Sequence, residues 1–133
     1  APHEAARKVL AEGLIRLGVI TQNLDEALDK KSGQLKDWYM HNTSHWIGLD
    51  VHDVGVYLPD GKPRLLESGM CLTVEPGLYF GAWRPDVVCP ERYANIGIRI
   101  EDDILVTDDG PVVLTDKCPK TIDEIEYIIG KTV

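Results

Sequence analysis

His41-Asn42-Thr43-Ser44-His45-Trp46-Ile47-Gly48-Leu49-Asp50-Val51-His52-Asp53 holds three of the chain's four histidines within twelve residues. Neutral imidazole is the commonest metal ligand and a general base near pH 7, so the clustering needs a reason. His41 and His45 are four apart, a spacing that a helix would put on one face. Trp46 to Val51 instead alternates and carries β-branched residues, which reads as a strand. On a strand, His45, Ile47, Leu49 and Val51 share one face, and His52 points to the other. The two histidines then line one cavity only where the chain bends, at Gly48 or at a strand end before His52. A single histidine in such a setting more often bonds a backbone carbonyl in a core. Three together, with carboxylates downstream, favour a site.

Two downstream stretches supply the carboxylates. In Cys71-Leu72-Thr73-Val74-Glu75-Pro76-Gly77, alternation sends Leu72 and Val74 to the core and Thr73 and Glu75 to the opposite face. Glu75 stands at a strand end, just before a Pro-Gly turn. Ile96 to Thr107 reads as one strand, with Ile98 and Ile100 on the core side and Arg99 and Glu101 on the other. A charged pair inside an apolar strand is costly unless it is paired or bound to metal. His45, Glu75 and Glu101 are therefore the candidate ligands, with His41, His52, Tyr79 and Arg99 nearby. One imidazole and two carboxylates suit manganese, cobalt, iron or zinc better than copper. Three ligands are too few for two ions, so either the site is mononuclear or further ligands lie outside this sequence.

The rest of the chain reads as scaffold. Pro2 suits a first helical turn, and Ala6, Val9, Leu10, Leu14 and Leu17 form an apolar stripe that Gly18 ends. By the same pattern His3 is exposed, and no ligand role is expected of it. Asn23 caps a short second helix, and Leu35 to Tyr39 adds a helical turn. Gly81 to Asn95 reads as a long loop, either a plain connection or a cavity wall. Asp109-Gly110 is a hairpin turn into Val112-Val113-Leu114. Thr121 to Glu124 is a capping box that opens a last helix, ended by Gly130.

Composition sets the class. With 133 residues and 44% apolar side chains, the chain is one domain or part of one, with a real core. A net charge of -8 argues against nucleic acid and anionic membranes as partners. The three cysteines form no Cys-x-x-Cys pair, so a thiolate zinc site is not expected, and reduced thiols fit a cytoplasmic location. No apolar run approaches a membrane span, and the first residues lack the blocks of a signal peptide. The chain opens without methionine at Ala1-Pro2-His3-Glu4, as expected of a processed or excised piece.

Three motifs in order carry a resemblance: His45-Trp-Ile-Gly-Leu-Asp-Val-His-Asp-Val-Gly55, Leu72-Thr-Val-Glu-Pro-Gly-Leu-Tyr79, and Gly97-Ile-Arg-Ile-Glu-Asp-Asp103. Together they resemble the C-terminal catalytic region of the aminopeptidase P family of pita-bread metallopeptidases, relatives of prolidase and methionine aminopeptidase. The likeness runs from Trp38 to Thr107. It implies an α+β fold: the second half of a pita-bread domain, a curved antiparallel sheet covered by helices. It also implies two divalent ions, usually Mn2+, held by two aspartates, one histidine and two glutamates. His45, Glu75 and Glu101 match the last three. The resemblance gives Glu75 the proton of the attacking water, His52 the scissile carbonyl, His41 the prolyl pocket, and Tyr79 and Arg99 the support of the ligands.

Two departures stand out. No aspartate motif precedes His41; Asp25, Asp29 and Asp37 have the wrong surroundings. Residues 1–133 are thus expected to be the C-terminal part of the catalytic domain, inactive without an N-terminal portion that brings two aspartates. The second departure is Asn42, where the family usually has glycine. The implied reaction is hydrolysis of the N-terminal Xaa-Pro bond of peptides, in a homo-oligomer. The alternatives are a prolidase acting on dipeptides, and a metal-free binding module.

Overall fold

The structure is a computed structural model that describes residues 1–81 and 86–130. Helix α1 (Pro2–Arg16) starts with proline in its first turn, where the missing N–H costs nothing. Gly18, at φ +69°, turns the chain out of it. The short helix α2 (Leu24–Leu28) is held by a reciprocal capping box between Asn23 and Glu26. A 3-10 turn at Gln34–Asp37 follows. Ala11 and Leu14 of α1 pack with Ile20, Ala27, Leu35, Trp38, Tyr39 and Phe80 into one buried cluster. Val9, expected in this stripe, is 63% exposed. It lies two residues before Ala11, and at 100° per residue that step carries it to the far side of the helix.

Strands β1 (Cys71–Val74), β4 (Asp102–Thr107) and β5 (Gly110–Val113) form one antiparallel sheet in the order β1-β4-β5. Strands β2 (Gly77–Phe80) and β3 (Ile96–Arg99) form a second antiparallel pair. The β4–β5 hairpin turns on Asp108-Asp109, with Gly110 at φ +118°. Helix α3 (Ile122–Ile128) opens on the Thr121–Glu124 capping box and ends before Gly130, at φ +82°. The whole is α+β, with antiparallel sheets, as expected.

Two strand expectations need correction. Ile96 to Thr107 is not one strand: it breaks at Ile100-Glu101, opposite the break at Glu75-Pro76. The pairs Val74↔Asp102 and Gly77↔Arg99 nevertheless lie on a single register. That register sets Glu75 directly across from Glu101 and Pro76 across from Ile100. Pro76 has no N–H to give, and the one bond left there runs from Ile100 N to Pro76 O at 3.4 Å. Ile98 and Ile100 are not core residues, at 59% and 46% exposed, although Leu78, directly across from Ile98, packs against the buried cluster.

Trp46 to Val51 is likewise not a strand. The extended segment lies earlier, at 43–47, and runs antiparallel beside β1. Glu75 N donates to Thr43 O, Thr73 N to His45 O and Ile47 N to Cys71 O. The chain then folds back at Gly48, and Asp53 N donates to Trp46 O. A Cβ at Gly48 would lie 1.6 Å from Asp53 Oδ2, so a side chain there would displace the Asp53 carboxylate. Both expected routes for bringing His52 round to His45 are used: the extended segment ends at Ile47, and the chain turns back at Gly48.

Candidate metal centre

Alternation along the shared register gathers the chemistry on one face. Thr73, Glu75, Gly77 and Tyr79 occupy it from one side, and Arg99 and Glu101 from the other. The segment 43–47 adds His45, opposite Thr73. His45, Glu75 and Glu101 each offer a ligand atom, and these atoms lie within 4.8 Å of one another. His45 Nε2 is 3.2 Å from Glu75 Oε1. Arg99 Nε stands 3.8 Å from Glu75 Oε2 and 3.8 Å from Glu101 Oε2.

The donor chemistry fits a cation. His45 Nδ1 lies 3.1 Å from Trp46 O, a carbonyl that can only accept, so Nδ1 carries the proton. That leaves the Nε2 lone pair aimed at a carboxylate oxygen, two acceptors face to face. A proton on Nε2 would satisfy this pair alone, whereas a divalent ion would satisfy the pair and Glu101 together. Like charges directly across a ladder are destabilising, and Glu75 is only 9% exposed. Arg99 offsets one of the two charges, and its half-exposed position weakens that effect. The residues present therefore fit a divalent metal.

Thr73 is the support that sequence reasoning placed on this face without a role. It is 1% exposed. Its hydroxyl accepts from His45 N at 3.0 Å and donates to Glu75 Oε1 at 3.0 Å. One side chain thus sets both the backbone of one ligand and the carboxylate of the other. The signal was the alternation Leu72-Thr73-Val74-Glu75, but a buried threonine on a strand does not announce its partners.

The remaining expected residues fall into two groups. His52 is exposed and sets its ring edge-on to His45, with centroids 4.3 Å apart. The loop that returns it is closed by Asp53, whose Oδ2 accepts from Leu49 N, and by Tyr57, which stacks on Trp46 and accepts from Trp46 N at its hydroxyl. His41 pairs with Tyr79: Nε2 lies 2.9 Å from the phenol, while Nδ1 donates to Asn42 O at 2.7 Å. Tyr79 therefore donates and His41 accepts. Gly77 makes room, since a Cβ there would sit 2.6 Å from the Tyr79 hydroxyl. Asn42 is exposed and has no positive φ, so it stands in for glycine without strain.

His3 corrects an expectation. It is half-buried, with Nδ1 3.0 Å from Thr43 Oγ1, and burial holds its pKa below the ordinary value. Tyr39 also reaches Thr43 Oγ1 from the buried cluster, and burial pushes its phenol up. A helical stripe cannot report this contact, because Thr43 lies forty residues along the chain. Elsewhere, Lys120 Nζ reaches Asp102 Oδ1 at 2.6 Å; that hydrogen bond, with one from Thr115, holds Asp102 below the carboxylate range. Cys71, Cys89 and Cys118 are free thiols. No helix among the described residues is long and apolar enough to cross a membrane.

Known proteins are similar to this chain in sequence and in fold. A Xaa-Pro aminopeptidase of Escherichia coli strain K12 is 47% identical over 122 residues, covering 92% of this chain and 26% of that protein. Xaa-Pro aminopeptidase 1 of Streptomyces coelicolor is 46% identical over 93% of this chain and 25% of its own length. Among solved structures, the aminopeptidase PepP of Pseudomonas aeruginosa superposes with a TM-score of 0.84 at 46% identity, over 94% of this chain and 27% of that one. E. coli aminopeptidase P with the inhibitor Pro-Leu gives 0.78 at 47% identity and the same coverage. The chain thus spans about a quarter of the length of these relatives. The expected fold follows from these superpositions: the chain has part of the pita-bread fold of aminopeptidase P. Residues 1–108 match the description of metallopeptidase family M24, which covers all three ligand-bearing segments. By sequence and by fold, this chain belongs to that family.

Proposed function

We propose that this chain supplies the His45, Glu75 and Glu101 part of a two-metal centre in an aminopeptidase that hydrolyses the N-terminal Xaa-Pro bond of peptides. The observation that carries the reading is the convergence of these three ligand atoms from three separate segments. The chain is the C-terminal part of the catalytic domain, and two aspartates from outside it complete the ligand set. Manganese is the proposed metal, with zinc, cobalt or iron as substitutes that the donor set also accommodates. The proposed setting is a cytoplasmic homo-oligomer.

When bound, the ions supply Lewis acidity at the scissile carbonyl and its attacking water. The side chains do the rest. Glu75 takes the proton of the attacking water and passes it toward the leaving amine. His52 steadies the oxygen of the carbonyl under attack. His41, fixed by Tyr79, lines the pocket for the prolyl ring. Arg99 holds the two carboxylates against their mutual repulsion. A Xaa-Pro bond has no amide hydrogen for an ordinary peptidase to grip, so recognition falls to such a shaped pocket.

The test uses the full-length protein with Xaa-Pro and Xaa-Pro-Xaa peptides, and metal analysis on the same sample. Cleavage of the longer peptides, lost in Glu75→Ala, is the expected result. Cleavage of dipeptides alone would assign a prolidase. Turnover unaffected by Glu75→Ala, or absence of bound metal, would overturn the proposal.

A further inference from the structure

Thr43 is wholly buried, and its hydroxyl is gripped from two sides. His3, in the first turn of α1, places Nδ1 3.0 Å away, and Tyr39, from the buried cluster, brings its phenol to the same oxygen. With His3 neutral, one arrangement satisfies every group: Tyr39 donates to Thr43, and Thr43 donates to Nδ1 of His3. The backbone of Thr43 is engaged as well, since its carbonyl accepts from Glu75 N at 2.8 Å. Two residues later the same extended segment carries His45, whose carbonyl accepts from Thr73 N. The scaffold and the candidate ligands therefore meet at one side chain.

We infer that Thr43 is a positioning residue: clamped by His3 and Tyr39, it fixes the segment 43–47 against β1 and so holds the His45 imidazole at its distance from the Glu75 carboxylate. The inference rests on the metal-centre reading for its consequence, but not for its geometry. A hydrophobic side chain at position 43 would fill the space yet leave the Tyr39 hydroxyl and the His3 nitrogen without their buried partner, so both groups would shift to find others and move the backbone between them. His45 would move with the backbone that carries it. Groups that orient metal ligands typically change affinity by about 10- to 100-fold when removed.

The test compares wild type, Thr43→Val and Thr43→Ser in the full-length protein. Mn2+ affinity is measured by competition with a chromophoric chelator, and the crystal structure of each variant gives the His45 Nε2 to Glu75 Oε1 separation. The expected result is an affinity loss of about tenfold in Thr43→Val, restored by Thr43→Ser. The separation should change by about 0.5 Å or more in Thr43→Val only, the tolerance within which a site must be held. Unchanged affinity with a lowered unfolding midpoint would mean a merely structural threonine and would overturn the inference. A loss that serine fails to restore would overturn it too, because shape and not the hydroxyl would then be responsible. If wild type binds no metal, the metal-centre reading fails and the separation alone decides this one. Tyr39→Phe removes the same contact from the other side, and its metal affinity and separation decide the matter where Thr43→Val does not fold.

Discussion

Replacing Thr73 with valine keeps the shape of the side chain and removes the one hydroxyl that joins His45 to Glu75. Two hydrogen bonds go, each 3.0 Å in length. The bond donated to the Glu75 carboxylate belongs to the charge-assisted class, worth about 1.5–3 kcal/mol. The His45 N–H loses its acceptor, and an unsatisfied buried donor costs about 1–3 kcal/mol. The two terms overlap because both groups partly relax, and the added methyl returns about 0.8 kcal/mol. A net loss of about 2–4 kcal/mol is expected, a large share of the roughly 5–15 kcal/mol that holds a domain together. Equilibrium urea unfolding in excess chelator measures it free of any contribution from bound metal. At a slope of about 2 kcal/mol/M the midpoint should fall by about 1–2 M with the slope unchanged. Thr73→Ser keeps both bonds and should lose only about 1 kcal/mol. A Thr73→Val midpoint within about 0.2 M of wild type would refute the assignment of both bonds, since that corresponds to less than roughly 0.5 kcal/mol.

Gly48→Ala drives a Cβ into Asp53 and displaces the loop that returns His52 to His45. Peptidase kcat/KM should fall by about 100-fold, as for a 1 Å misplacement; activity within twofold of wild type would reject the role of the bend. Glu101→Gln removes one of two facing carboxylates, so in chelator its stability should stay within about 0.5 kcal/mol of wild type or rise. Its metal affinity, by the same titration used above, should drop at least about tenfold. Leu14→Ala empties a fully buried site and should cost about 2–5 kcal/mol, whereas Val9→Ala should cost under about 0.5 kcal/mol by denaturant unfolding. Burial lowers the His3 pKa in the folded state, so the unfolded chain takes up this proton first as pH falls. The contribution is therefore intact above pH of about 6.5 and lost as pH drops from there through the lowered folded value. His3→Gln should flatten that part of the stability–pH profile, and an unchanged slope would show that His3 is not the group responsible.

What the chain revealed before folding was local chemistry. Asn23 with Glu26 and Thr121 with Glu124 made their capping boxes, and Gly18 and Gly130 ended their helices, because such signals act within one turn. The hairpin expected at Asp109-Gly110 formed one residue earlier, on Asp108-Asp109, because Gly110 pairs with Thr107 as the first residue of β5. The candidate ligands were legible as residue types out of place, carboxylates and imidazoles set among apolar neighbours. What stayed hidden depended on partners far along the chain. Alternation in Trp46 to Val51 resembled a strand, yet the pairing edge of β1 took up residues 43–47 instead. Apolar Ile98 and Ile100 resembled core, yet both stand about half exposed. His3 looked exposed on a helix considered alone, and only Thr43 brings it inward.

The strand breaks and the charged pair have one physical origin. A regular ladder through positions 75 and 101 would hold two carboxylates across from each other on one face, at close cross-strand range. Pro76 interrupts the bonding there, and the ladder divides into two sheets without losing register. The interruption falls where the like charges face each other, on the side toward which His45 and Arg99 project. A proline elsewhere in β1 or β2 would break the ladder away from these two charges. Pro76→Ala should therefore have a specific effect: the ladder can close by donating the new N–H, which brings the carboxylates nearer together. Global stability would then change little, while the space for an ion between Glu75 and Glu101 narrows and metal affinity falls. The opposite pattern, a large loss of stability with affinity preserved, would mean that the proline serves the turn alone and that the gap is maintained by something else.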